Sequence, residues 1–305
     1  DIGFTEPYFL GRNLSAGIDL FRSEFDNLNE SSFNQTSTGA QLRAGTRLTE
    51  FISLGMRYGF RSDRVKVPES LIPFTDPIIL AALGDSTTSS LGYTLLYDTL
   101  NNRIRPSRGQ RASFSQDVAG VGGSERYVRS RAEYDIYFTL WRAWILRFGA
   151  EAGNIFGLGK DVRLNDRFFL GGPRIRGFDI RGIGPRIVGT DPNTGALTLG
   201  SSIGGNNYYL GGAELEVPLG DAARELGLRS SLFFDVGSLW DFELDPSLEP
   251  FRNTVRDSSA PRMSAGFGVS WNSPFGPFRI DLAKAIKKQE FDETKFLQFN
   301  IGTQF

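Results

Sequence analysis

Long segments of this chain alternate residue by residue between apolar and polar side chains, and this alternation constrains the fold more than any other feature of the sequence. In residues 127–138 one parity carries Val128, Ala132, Tyr134, Ile136 and Phe138, and the other carries Arg129, Arg131, Glu133 and Asp135. A period of two belongs to a β-strand whose two faces meet different surroundings. Helical periodicity is nearly absent, so the sequence predicts an all-β fold.

The alternating pattern recurs in about thirteen segments, which we interpret as strands: 1–9, 14–24, 36–48, 51–61, 86–98, 109–118, 126–140, 143–154, 204–218, 228–240, 262–272, 276–285 and 295–305. Tight turns such as 49–50 and 141–142 alternate with long loops such as 62–85 and 155–203. Short turns on one side and long loops on the other are typical of a transmembrane antiparallel β-barrel. A soluble sandwich would also bury one face of each strand, but it does not require this order of connections.

The number of strands also bears on how such a barrel could close. With thirteen antiparallel strands the first and the last run in the same direction, and an antiparallel ladder cannot join them. We therefore expect that one or three further strands precede residue 1, and that the sequence is an N-terminally truncated piece of a longer chain.

The composition removes most enzymatic chemistry. The 305 residues include no His and no Cys, which excludes imidazole-dependent triads, thiol nucleophiles and thiolate metal sites. The net charge is −1, so no overall basic field would attract nucleic acid. We expect a protein that is not an enzyme, uses no cofactor or metal and binds no nucleic acid. Outer-membrane proteases and phospholipases are excluded because they depend on His.

Four ordered stretches of the chain resemble the BamA family of outer-membrane protein insertases. They are Thr5–Phe9, Phe168–Phe178, Arg262–Gly266 with Ser273–Pro277, and Phe299–Phe305. The second stretch contains Ile-Arg-Gly-Phe and resembles the lumen-entering loop of the family, whose motif is Val/Ile-Arg-Gly-Phe/Tyr. The resemblance covers the whole chain and implies a barrel of sixteen strands in which the segment like Thr5–Phe9 belongs to the fourth. Three strands and the family's soluble periplasmic domains would then precede this sequence.

The resemblance and the alternation together predict a site inside the barrel. The loop 155–203 is expected to enter the lumen with the motif residues Gly171, Gly172, Ile175, Arg176, Gly177 and Phe178. A buried guanidinium requires carboxylate partners, because an unpaired buried charge is costly. Alternation places Glu214, Glu216, Phe233 and Asp235 on the lumen face. The resemblance pairs the loop arginine with the positions of Glu216, Phe233 and Asp235, and we expect Arg176 to bind Asp235 or Glu216.

The last predicted strand is a second candidate site. Its outward parity carries Leu297, Phe299, Ile301, Thr303 and Phe305. The resemblance implies that this strand forms one side of a lateral seam, with Phe299, Ile301, Gly302 and Phe305 as its seam and assembly-signal residues. Any outer-membrane barrel can carry such a terminal strand, so this feature indicates location rather than activity.

The resemblance implies an integral outer-membrane protein of Gram-negative bacteria that inserts other β-barrel proteins through the seam between its first and last strands. Its partners would be unfolded outer-membrane proteins, the lipid bilayer and, through the absent periplasmic domains, the accessory lipoproteins of an assembly complex. Two alternatives stay open at this point. One is a translocation barrel of two-partner secretion or autotransporter assembly, and the other is a passive porin.

Overall fold

A computed structural model describes residues 1–31, 33–141, 144–191, 193–220, 223, 225–273 and 276–301. Within these residues the strands are β1 Ile2–Glu6, β2 Leu14–Asn27, β3 Phe33–Arg47, β4 Ile52–Lys66, β5 Gly84–Asp98, β6 Gly109–Gly123, β7 Tyr127–Thr139, β8 Ile145–Gly157, β9 Arg186–Thr190, β10 Leu197–Ser202, β11 Asn207–Val217, β12 Leu228–Trp240, β13 Val255–Arg256, β14 Arg262–Ser273, β15 Gly276–Lys287 and β16 Leu297–Ile301. Two short helices are α1 Leu28–Ser31 and α2 Pro77–Ala81. No helix in this part of the chain is long and apolar enough to cross a lipid bilayer.

Thirteen of the strands form one antiparallel sheet, in the order β1 to β8, β11, β12, β14, β15 and β16. The predicted number of barrel strands is therefore confirmed. Each strand pairs with the next along the chain, apart from β9, β10 and β13, which form a separate sheet of three strands within the long loops. Within the described residues β1 pairs only with β2 and β16 only with β15, so both are edge strands.

The short connections are stabilised locally by polar side chains. Between β3 and β4 the hydroxyl of Thr49 accepts hydrogen bonds from the backbone N–H groups of Phe51 and Ile52, and the N–H of Leu48 bonds to the carbonyl of Ile52. A threonine hydroxyl in this position substitutes for a backbone acceptor and lets the chain reverse within a few residues. Such turns keep consecutive strands adjacent in the sheet.

The two faces of the large sheet differ as the alternation predicts. Large apolar side chains along the outer face are exposed, among them Leu42, Met56, Phe60, Leu91, Leu95, Phe114, Phe138, Phe148, Leu232, Phe234, Phe267, Ile280 and Leu282. Exposing so much apolar surface to water would cost about 25 cal/mol per Å², whereas a bilayer removes that cost. The outer face is therefore the lipid-facing surface of a membrane barrel.

Residues 166–178 of the segment between β8 and β11 lie inside the curve of the sheet. Asp166 binds Arg61 of β4, while Arg176 binds Asp235 of β12 and the carbonyl of Phe178 accepts from Gln298 of β16. Inner faces from β4 to β16 can reach one segment only if the sheet wraps around it. The expected lumen loop is thus present, with boundaries about three residues later than 155–203 because β8 continues to Gly157 and β11 starts at Asn207.

Two buried apolar clusters hold the lumen loop and the other long-loop segments in place. One joins the loop to the inner wall and contains Ala119, Tyr127, Ile155, Val162, Phe168, Leu170, Ile175, Phe178, Ile183, Tyr208 and Leu239. The other lies among the long-loop segments and contains Phe33, Val65, Val67, Ile78, Ile79, Leu164, Ile187, Ile203, Phe242, Leu244 and Val255. Each cluster uses residues far apart in sequence, so the loop is packed into place rather than left loose in the lumen.

Candidate functional site

Glycines give the lumen loop the sharp course that brings its tip to the wall. Gly171 has φ +140°, and a Cβ there would lie 1.9 Å from the carbonyl oxygen of Asp179. Gly177 has φ +87°, and a Cβ there would lie 3.2 Å from the Cβ of Ser264 and 3.3 Å from that of Ala283. At both positions an L side chain is disfavoured by the backbone conformation and by its neighbours. The tip therefore approaches the barrel wall at backbone distance.

Arg176 is the main ionic anchor of the tip. Its Nε and Nη2 donate to the two carboxylate oxygens of Asp235 at 2.8 and 2.7 Å, and its backbone N–H bonds to the same carboxylate at 3.1 Å. Nη1 donates to Glu214 at 2.9 Å. The guanidinium lies 3.5 Å from the ring centroid of Phe233, a cation–π distance. A paired fork of this kind needs the planar geometry of arginine, which lysine cannot reproduce.

The pKa of Arg176 reflects this pairing. Burial alone would lower the pKa, but the hydrogen bonds and charges of Asp235 and Glu214 outweigh burial and raise it above the ordinary arginine value. Arg167, in the same loop, is the opposite case. Burial lowers its pKa to about 10, only partly opposed by Glu243, and its side chain donates to backbone carbonyls such as that of Val162.

The predicted partners of Arg176 are partly corrected by the structure. Asp235 and Phe233 lie in contact with it, as expected. Glu216 does not, and its carboxylate accepts instead from Nη1 of Arg229 at 3.2 Å. Both Glu214 and Glu216 have lumen parity, but residues two apart on a strand differ by about 7 Å along it. Alternation identifies the face of a residue and not its height in the barrel, which is why Glu214 takes the place expected of Glu216.

Glu214 also links the loop to the next part of the wall. Its second carboxylate oxygen accepts from Nη2 of Arg279 at 2.8 Å, and Nε of Arg279 binds Asp281 at 2.9 and 3.0 Å. Sequence reasoning missed Arg279 and Asp281, although both have the parity opposite to the lipid-facing Ile280 and Leu282. The anchor is thus a row of alternating charges across β12, β11 and β15.

A second ionic anchor holds the other end of the loop and was also missed. Asp166, almost fully buried, accepts from Nη2 of Arg61 at 2.6 Å and lies 3.9 Å from Nη2 of Arg129. Nε of Arg61 also binds the buried Asp63 at 2.6 Å. The inward parity of these arginines was visible in the sequence, but their shared partner lies 105 residues from Arg61 and 37 residues from Arg129.

The cavity beside the loop tip is polar. It has a volume of about 340 Å³, and its charged lining includes the ion pairs Arg147–Asp135 and Arg174–Glu151, each at 2.7 Å. Because these carboxylates already have guanidinium partners, the cavity is suited to holding a hydrated, charged loop rather than to acid–base chemistry.

The candidate seam lies at β16. Phe299 and Ile301 are exposed on the lipid face, with 58% and 66% of their surface accessible, whereas Gln298 is buried toward the lumen. Gly302 and Phe305, the other two predicted seam residues, lie outside the described residues. Only five residue pairs join β16 to β15 in the described part, from Leu282–Leu297 to Phe278–Ile301.

Comparison with known proteins gives a consistent set of relatives. The family described as the Omp85 superfamily domain matches residues 1–305. The outer membrane protein assembly factor BamA of Neorickettsia risticii is 32% identical over 297 residues, covering 96% of this chain and 37% of that protein. BamA of Neisseria meningitidis serogroup B is 27% identical over 338 residues, covering 100% of this chain and 41% of that protein.

The fold comparison agrees. The crystal structure of BamA from Haemophilus ducreyi lacking POTRA domains 1–3 matches with a TM-score of 0.80 and 25% identity, over 97% of this chain and 60% of that one. CdiB from Acinetobacter baumannii shares the fold at a TM-score of 0.55 and 11% identity. The chain spans about two fifths of the length of the curated relatives it matches.

Proposed function

This chain belongs to the Omp85 superfamily, and from that premise we propose that it forms the barrel of an outer-membrane assembly factor that inserts other β-barrel proteins. The barrel resides in the bacterial outer membrane with its apolar face in lipid. Insertion of this kind makes and breaks no covalent bond, so the proposed protein is not an enzyme and needs no cofactor. The substrate class is unfolded outer-membrane β-barrel proteins.

The observation that carries the proposal is the last strand. Within the described residues β16 is joined to β15 by only five residue pairs. An edge strand presents a row of backbone N–H and C=O groups that a client strand can join by β-augmentation. In lipid an unpaired group costs several kcal/mol, so such an edge has a strong tendency to acquire a partner.

The filled lumen argues against a passive porin. Ion pairs from Arg61 on β4 and from Asp235 on β12 hold the loop across the interior. The assembly factors at 32% and 27% identity favour insertion over translocation. We propose that any accessory lipoproteins of the assembly complex act through domains outside this chain.

The experiment targets the edge of β16 that faces away from β15. The N–H of Ala283 bonds to the carbonyl of Phe296 at 2.9 Å, and backbone groups on a strand alternate in direction. The N–H of Phe299 therefore points away from β15 toward that edge. Phe299→Pro removes that donor and leaves the ladder with β15 intact, whereas Phe299→Ala loses the same ring and keeps the donor.

The full-length protein, reconstituted in liposomes, would be mixed with a urea-unfolded outer-membrane barrel, and protease-resistant client would be measured over time. We expect Phe299→Pro to reduce the rate of insertion strongly and Phe299→Ala to reduce it little. Equal rates for the two variants would refute templating at this edge. An ion-selective open channel with no insertion by the wild type would instead indicate a porin, and passage of a secreted client through the barrel would indicate a translocation barrel.

A further inference from the structure

Within the described residues, the segment that leads into the last strand does not pair with the C-terminal end of β15. The ladder between β15 and β16 extends from the strand pair Leu282–Leu297 to one more bond, from the N–H of Ala283 to the carbonyl of Phe296. Beyond that point, residues 284–287 of β15 pair with β14 on their other side. Within the described residues, their edge toward β16 is not part of the sheet ladder.

The residues that leave β15 pair with the lumen loop instead. The N–H of Lys295 bonds to the carbonyl of Gly177 at 3.1 Å, and the N–H of Asp179 bonds to the carbonyl of Glu293 at 3.0 Å. The N–H of Glu293 bonds to the carbonyl of Gly182 at 2.8 Å. The first two bonds form an antiparallel bridge between the two segments. The final strand thus changes partner, from the wall to the loop.

Side-chain contacts also join the final segment to the lumen loop. Nε2 of the buried Gln298 donates to the carbonyl of Phe178 at 2.6 Å, and Phe178 itself is fully buried. Nζ of Lys295 binds Asp179 at 3.1 Å. The contact therefore includes one residue of the approach, Lys295, one residue of β16, Gln298, and two of the loop tip, in addition to the backbone bonds.

A third contact holds the same approach from the wall side. Arg262, the first residue of β14, forms a forked ion pair with Asp292, and both side chains are fully buried. Asp292 also accepts the N–H of Gln289 at 2.7 Å. A fully buried ion pair is strongly destabilised if one partner moves away. Residue 292 is therefore a fixed point directly before residues 293–295.

The loop tip connects this segment to the Arg176 anchor through consecutive residues. Arg176 is bound to Glu214 and Asp235, on β11 and β12. Gly177 lies against the wall at β14 and β15, and Phe178 accepts from β16. Three successive residues thus span the wall from β11 to β16, so a shift of the arginine is transmitted to the approach of the last strand.

We propose that the lumen loop is the inner partner that positions the last strand, with Gln298 and Lys295 as its positioning residues and Arg176 as the anchor that sets their place. Residues 293–295 then have two alternative partners, the loop at 177–182 or the edge of β15 at 284–286 that faces away from β14. A segment with two discrete partners is a two-state element. Loosening the loop shifts the element toward β15 and changes the shape of the edge. This inference rests on the proposed function only for the use made of that edge.

Amide hydrogen exchange tests the proposal directly. The measurement uses the full-length protein in lipid nanodiscs, with exchange followed in peptides that cover 176–182 and 291–296. We expect Arg176→Ala to speed exchange at Glu293 and Lys295 by about tenfold or more, because their acceptors lie on the loop. Arg229→Ala is the matched control, since it breaks a lumen ion pair of β12 and β11 that does not touch the loop. Unchanged exchange at 291–296 in a folded Arg176→Ala protein would overturn the proposal.

A second pair of variants tests the proposal if the Arg176→Ala protein does not fold. Gln298→Ala removes only the bond to the carbonyl of Phe178, and we expect it to speed exchange at Asp179. Asn300→Ala changes the same face of the same strand at a residue whose side-chain nitrogen has no hydrogen-bond partner among the described residues. Equal exchange at Asp179 in both variants would contradict the positioning role.

Insertion of a client is assayed separately on the same samples. If exchange responds as expected but the wild type inserts no client, the positioning holds and the proposed function fails. If Arg176→Ala loses insertion while exchange at 291–296 is unchanged, the function stands and the positioning fails.

Discussion

At the scale of single residues, the lumen site is a problem of neutralising buried arginines. Arg176 is 8% exposed. The desolvation cost of such a buried charge is offset only when each of its donors has an acceptor. The carboxylate of Asp235 supplies a forked pair and also accepts the backbone N–H of Arg176, and Glu214 supplies a further oxygen while also binding Arg279. Glu214 is therefore shared by two guanidinium groups, and its loss affects both.

Two isosteric substitutions on β11 separate this shared carboxylate from its neighbour. We expect Glu214→Gln to lower the free energy of unfolding by about 1–3 kcal/mol, because it leaves Arg176 and Arg279 each with one fewer charged acceptor. Glu216→Gln breaks a pair that is about 30% exposed on both sides and should cost less than about 1 kcal/mol. Urea titration of the protein in detergent micelles would measure both. A larger loss for Glu216→Gln would show that Glu216 is the anchor after all.

At the scale of elements, each barrel strand faces lipid on one side and the lumen on the other. On β7, Tyr134 and Phe138 are exposed on the outside, at 40% and 44%. On the inside, Asp135 accepts from Arg147, and Arg131 lies over the ring of Phe168. The same backbone thus presents apolar groups to lipid and paired charges to the lumen.

Arginine substitutions at adjacent positions of β7 test this division. Tyr134→Arg places a charge in lipid near the middle of the strand and should cost about 2–4 kcal/mol. Asp135→Arg loses the pair with Arg147 in a hydrated lumen, where its side chain is 28% exposed, and should cost about 1 kcal/mol or less. Folding free energies measured by refolding into lipid vesicles would decide. Similar costs for the two variants would mean that the face assignment of β7 is wrong.

At the scale of the whole molecule, the lumen loop occupies the interior of the barrel. The loop is held near its start by Asp166 on Arg61 and at its tip by Arg176 on Asp235. It also contacts the approach to the last strand through Phe178. One segment is thereby connected to both halves of the sheet.

The filled lumen predicts a low ion conductance. In planar bilayers the full-length protein should conduct little, and the double variant Asp166→Asn, Arg176→Ala should conduct more and with larger fluctuations, because both ionic anchors are lost. Arg229→Ala alters an ion pair of the wall outside the loop and should leave the conductance near that of the wild type. A large, steady conductance of the wild type would show that the loop does not close the lumen.

Alternation along the sequence by itself determined the number of strands in the large sheet and the lipid and lumen faces of strands such as β7. It also placed the carboxylates of β11 and β12 in the lumen, and the family resemblance then selected Asp235 as one of the partners of Arg176. These features depend on local periodicity and on the need of a buried charge for a partner. The tertiary structure decided that Glu214 rather than Glu216 completes the anchor, because parity gives the face and register gives the height. It also decided the anchor at Asp166 and the small sheet of β9, β10 and β13. The change of partner at residues 293–295 belongs with them. Apart from the hairpin of β9 and β10, these contacts join segments about forty to more than a hundred residues apart, and no local pattern encodes which distant segments meet.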